Sequence, residues 1–200
     1  MSTINWPTTG RAFTQVQYDE GLAWDVEITV ARAGNVITQQ LPGWRWKAVV
    51  RVPDEWVGNR AERQKLEALH ARLRGGANRL AMFNPAKVVR VGTLSGSPLV
   101  KTAIGVGASA VVLKNCNGTV AEGDLLGLGG QRVMVVAPAS PVSGEMTVTF
   151  EPPCREAVGA DTAVVWDRPT SEFILANPEQ LYPYASSGFP GFAFELIEAW

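Results

Sequence analysis

Apolar positions along this chain keep a period of two almost everywhere and a helical period once. Trp24, Val26, Ile28 and Val30 alternate with Asp25, Glu27, Thr29 and Ala31, the pattern of a strand with one wet face. Ala33-Gly34-Asn35 reads as a turn, Val36 to Leu41 continues, and Pro42-Gly43 is expected to break the chain. Trp44, Trp46, Ala48, Val50 and Val52 then alternate with Arg45, Lys47, Val49 and Arg51, which predicts a second strand antiparallel to the first.

The helical period falls between Asn59 and Gly76. Leu66, Leu69 and Leu73 stand at i, i+3 and i+7, with Arg60, Glu62, Arg63, Gln64, Lys65, Glu67, Arg72 and Arg74 around them. Asn59 with Glu62 suits a capping box, and Gly75-Gly76 suits a helix end. A stripe this narrow needs a sheet to lie on.

Leu80 to Phe83 reads as a short strand stopped by Asn84-Pro85. From about Val88 to Val165 the chain turns rich in Gly, Val and Ala, with strands expected at Val88–Val91, Leu99–Thr102, Ala110–Leu113, Asp124–Leu128, Gln131–Val136, Met146–Phe150 and Ala163–Trp166. Short strands punctuated by glycine and proline indicate a small barrel or sandwich. Gly129-Gly130 is a two-residue hairpin signal. Two more strands close the chain, Glu172–Ala176 and Phe192–Trp200.

The fold class expected is therefore α+β and mostly β. Residues 1–87 with 167–200 make a discontinuous sheet or split-barrel unit carrying one packed helix; residues 88–166 are an inserted small β-barrel, OB- or SH3-like. Residues 1–14 read as an irregular arm, whose Trp6 either packs on its own unit or docks on a neighbour.

Composition narrows the function classes. The 200 residues are 46% hydrophobic and 18% charged, with 18 Lys+Arg against 19 Asp+Glu. That balance argues against a nucleic-acid binder, which shows a basic excess. A near-neutral surface favours association with neighbours. Cys116 and Cys154 match no metal spacing, leaving unpaired thiols or a disulfide. The N-terminal residues lack the basic start and apolar core of a signal peptide. No run of about 18 apolar residues spans a membrane.

Catalytic chemistry is sparse. His70 has no metal-ligating partner at helical spacing. The glycine clusters do not continue into a phosphate-cradling helix. Glu122-Gly123-Asp124 suits a turn whose Asp accepts backbone N–H bonds. No metal, cofactor or catalytic residue is expected. Arg45, Lys47 and Arg51 beside Trp44 and Trp46 leave two options, a solvated strand face or a sugar-binding platform.

Three stretches resemble one family. Ala121-Glu122-Gly123-Asp124-Leu125-Leu126 followed by Gly130-Gln131-Arg132-Val133-Met134-Val135-Val136, then Gly144 through Pro152-Pro153-Cys154-Arg155, and earlier Gly76-Ala77-Asn78-Arg79-Leu80-Ala81-Met82-Phe83-Asn84-Pro85, are similar to the distal tail proteins of long-tailed bacteriophages. The resemblance covers about residues 40–175. It implies a non-enzymatic virion subunit in a homo-oligomeric, hexameric ring at the end of the tail tube, contacting the tube protein and the tail hub. It implies no membrane partner and no nucleic acid beyond what passes through the lumen. Synthesis in the bacterial host cytoplasm follows. The chain is shorter than many such proteins, and a large C-terminal galectin-like domain is not expected of it. The residues expected to anchor subunit contacts are Trp6, Phe13, Trp44, Trp46, Tyr182, Tyr184 and Trp200, because aromatic side chains dominate interface energetics. The rival reading is a carbohydrate-binding β-module using Trp44, Trp46, Arg45 and Lys47.

Overall fold

The computed structural model describes residues 2–9, 11–14, 16–30, 36–52, 60–177 and 192–199; side chains at 11–12, 25–30, 36–42 and 192 are not described. The protein is mostly β, as its period-two patterning predicts. It divides into two compact units, Met1–Leu80 with Glu172–Trp200, and Ala81–Ser171. The junctions lie within strands, a few residues from the expected boundaries at 87/88 and 166/167.

The discontinuous unit is built on a six-stranded sheet. Its strands are β1 (Thr3–Asn5), β2 (Gln17–Val30), β3 (Val36–Val52), β4 (Arg79–Phe83), β11 (Thr170–Leu175) and β12 (Phe192–Glu198), in the order β1-β4-β11-β12-β3-β2. β12 sits antiparallel between β3, where Phe192 faces Val52 and Ile197 faces Lys47, and β11, where Phe173 faces Glu198. The C-terminal strand is thus tied to the strand of Trp46, as its large apolar residues predict.

Alternation fixes the covered face. Trp46, Ala48, Val50 and Val52 are buried, as are Phe194, Leu196, Phe173 and Leu175. Helix α2 (Arg60–Leu73) buries Leu66, Leu69 and Leu73, and the His70 ring lies 6.2 Å from that of Phe194. Each leucine removed from water contributes about 1.5–3 kcal/mol. Asn59, the expected cap, lies outside the described residues. At the far end the Asn78 amide nitrogen donates to the Arg72 carbonyl at 2.8 Å, and the Asn78 backbone N–H to that of Leu73.

Two expectations are corrected here. The N-terminal residues are not an irregular arm: β1 joins the sheet, with Arg79 N–H donating to Ser2 O, and a single helical turn, α1 (Arg11–Thr14), follows. Pro42-Gly43 does not break the chain either. β3 runs through it, because the register slips between Trp24 and Val26: Trp24 faces Trp44 but Val26 faces Gln40. Proline is tolerated in such a bulge, where no ladder N–H is required of it.

The inserted unit is a nearly closed, barrel-like sheet of six strands. Its strands are β5 (Leu99–Val100), β6 (Ala110–Lys114), β7 (Leu125–Leu128), β8 (Gln131–Val135), β9 (Met146–Glu151) and β10 (Val164–Val165), ordered β10-β7-β8-β9-β6-β5. Bonds from Val164 N–H to Pro98 O and from Val100 N–H to Thr162 O bring the two ends together. Val111, Leu113, Leu126, Val133, Val148 and Phe150 fill its core. Gly129 and Gly130 both take positive φ (57° and 85°) in the β7–β8 turn, as a two-residue hairpin of this type requires.

The strand expected at Val88–Val91 does not form. The carboxylate of Asp124 accepts the N–H groups of Val91 and Gly92, which are therefore taken up by a side chain rather than a ladder. Val89 and Val91 stand exposed.

Candidate interaction surface

The seven aromatic residues expected to anchor contacts divide three ways. Trp6, Phe13 and Trp46 belong to the core, with 6%, 3% and 2% of their surface exposed. Burial of Trp6 is made possible by its polar handle: Nε1 donates to Phe13 O at 3.1 Å, while its ring meets Phe13 and Phe194 edge-on at 5.5 and 5.9 Å. These three are corrected from contact residues to core residues. Trp44 is half-buried. Tyr182, Tyr184 and Trp200 lie outside the described residues.

What remains exposed is a pair. Trp24 on β2, 39% exposed, stands directly opposite Trp44 on β3, with ring centroids 6.0 Å apart and tilted by 51°. Trp24 was absent from the expected contact residues. The signal lay in the alternation, since two antiparallel strands separated by a turn bring Trp24 and Trp44 to one face of the hairpin.

The opposite face of the same strands carries Arg45, Lys47 and Arg51, all exposed, in the wet-face positions that alternation assigns them. Arg51 ion-pairs with Asp19 on β2. Trp46 points to the other side, into the core, so the tryptophans and the basic strip do not form one platform. A sugar site built from Trp46 with Arg45 and Lys47 therefore has no common surface.

Among the described residues no group of three or more His, Cys, Asp or Glu side chains is placed to hold a metal ion. His70 is partly buried against Phe194, and burial holds its pKa below the ordinary 6.5. Cys116 and Cys154 are unpaired and buried, and burial raises both thiol pKa values, the opposite of a reactive thiolate. Glu172 is held below its ordinary 4.5 chiefly by the hydrogen bond from Arg79, at 2.6 Å.

Asp124 carries the work expected of a turn aspartate. It accepts N–H bonds from Ala121, Val91 and Gly92 at 2.9, 3.2 and 3.1 Å. A side chain at Gly92 would lie 2.2 Å from that carboxylate, so only glycine fits. A cleft of about 170 Å³ beside it is lined by Lys87, Val89, Val91 and Glu122 among others. Lys87 closes part of it by donating to Gly123 O at 2.9 Å. These contacts organise a loop, and no nucleophile with a base stands among them. No helix among the described residues is long and apolar enough to cross a membrane.

β2, 14 residues long, is the outer strand of its sheet, and no described strand pairs with its free side. Neither a scan against protein-family models nor a search of curated proteins returns a match to this chain.

Proposed function

We propose that this chain is a structural subunit of a phage tail: a distal tail protein that assembles into a hexameric ring, joins the tube protein to the hub, and catalyses nothing. The observation that carries the reading is a contrast between the two units. The barrel brings its terminal strands together, whereas among the described residues β2 is a 14-residue outer strand paired only with β3. An outer strand of that length can template pairing with another chain. A head-to-tail contact that closes on rotation makes a ring. The low, nearly balanced charge of the chain favours such burial, and the motif resemblance names the assembly. The partly exposed Trp24–Trp44 pair supplies an aromatic contact near the same edge. The chain is then made in the host cytoplasm and resides in the virion, with no cofactor, no membrane partner and no nucleic-acid contact beyond passage through the lumen.

Light scattering and negative-stain micrographs of the purified chain test this. Closed rings of one diameter are expected. A chain that stays monomeric at high concentration, and whose peptides are missing from phage particles, overturns the proposal.

A further inference from the structure

The sheet of the discontinuous unit changes width abruptly at Trp46. Below that point β3 lies between β2 and β12; the last paired position of β12 is Ile197, opposite Lys47. Above it, among the described residues, β3 pairs with β2 alone, from Trp24↔Trp44 out to Val30↔Val36. Two features mark the change. The first is a carboxyl group where a peptide carbonyl would continue the ladder: Glu198 Oε2 accepts the Trp46 backbone N–H at 3.1 Å, and Glu198 is 2% exposed. Beyond it the chain continues its existing ladder with β11, Ala199 N–H donating to Glu172 O. The second is the bulge, in which Leu41, Pro42 and Gly43 are opposed by Asp25 alone.

The geometry points to a hinged arm. Residues Val26–Val30 paired with Val36–Gln40 form a two-stranded ribbon that swings as one body about the Leu41–Gly43 bulge, and Glu198 is the positioning residue that fixes where the rigid sheet ends. A two-stranded ribbon is marginally stable without a third strand or a covering helix. A bulge bends its strand and interrupts the ladder, which gives the pivot. The Trp24–Trp44 pair sits on the sheet side of the pivot and clasps the two strands at its base. Glu198 keeps the Trp46 N–H satisfied inside the core, so the width can change there without an orphaned buried donor. The arm includes Val26–Val30 of the strand on which the proposed ring contact rests, so the hinge is a property of the unassembled chain.

Amide hydrogen exchange on the full chain, resolved along β2 and β3, tests both parts. In dilute solution, Val26–Val30 and Val36–Gln40 are expected to exchange together, roughly a hundredfold faster than Ala48–Val52, as a local opening separate from the core. In Glu198→Ala the fast zone extends past Trp46 toward Ala48; in Glu198→Gln, which keeps an acceptor oxygen, it stays at Trp44. Arm amides as protected as Ala48–Val52 overturn the hinge. An unmoved boundary in Glu198→Ala overturns the role of Glu198. Should that variant fail to fold, the wild-type profile still decides the hinge, and a boundary that moves in Glu198→Gln overturns the acceptor role.

Discussion

Trp44 and Trp46 stand two residues apart on one strand and point to the same side of it, yet one is half-exposed and the other sealed. The difference is what lies over each. Trp46 is flanked by β12 residues and belongs to the core; Trp44 lies beyond the last residue of β12 that pairs with β3. Substitution separates them. Trp46→Ala is expected to cost about 3–5 kcal/mol, the usual range for emptying a core aromatic site. Trp24→Ala, which removes one member of a partly exposed ring pair, is expected to cost about 1 kcal/mol. Urea titration of both variants checks this, and equal losses would contradict the placement of Trp46. Alternation along β3 assigned the faces correctly. It did not say how far along the strand the covered face extends, because that depends on where β12 stops. The same limit explains Trp6 and Phe13: in sequence they are apolar residues in a turn-rich segment, and only the fold brings them to Phe194.

Helix α2 was the most legible element, since three leucines at helical spacing have one physical reading and all three are buried. The same helix carries a pH response that spacing does not reveal. Burial lowers the pKa of His70, so the unfolded chain takes up a proton more readily than the folded one. The contribution is complete well above the unfolded value of 6.5 and is lost as pH falls through it. The urea midpoint of the native chain should therefore drop between pH 7.5 and 5.5 more than that of a His70→Leu variant; parallel pH profiles would refute this. Glu172 acts in the same direction at lower pH, below its ordinary 4.5, where the stabilising hydrogen bond from Arg79 is lost. Short strands were less legible than the helix. Val88–Val91 has the composition of a strand, but its neighbouring donors go to Asp124, a partner thirty-odd residues away that no local pattern announces. β3 was split at Pro42-Gly43 in sequence for the converse reason: a bulge accommodates proline only when a partner strand supplies the slip.

At the scale of the whole molecule, the division into a leucine-covered sheet and a glycine-punctuated barrel was readable from the change in composition near Val88 and the return of aromatics near Trp166. The junctions were not, since they fall inside β4 and β11, where composition does not change. Those two strands are neighbours in the sheet. Their residues meet in opposite order: the Gly76 backbone faces Leu175, Arg79 bonds Glu172, and Arg168 lies over Phe83. β4 and β11 therefore run antiparallel, and the barrel leaves and re-enters the chain at adjacent points. In construction terms the barrel is an overgrown hairpin loop. Cutting out residues 84–169 and bridging Phe83 to Thr170 with Asn-Gly should give a soluble miniature with a cooperative melting transition and strand-rich circular dichroism. A miniature that aggregates or melts without a transition would mean that the sheet leans on its insert. If it folds, the sheet unit carries in its own two segments everything that its fold requires.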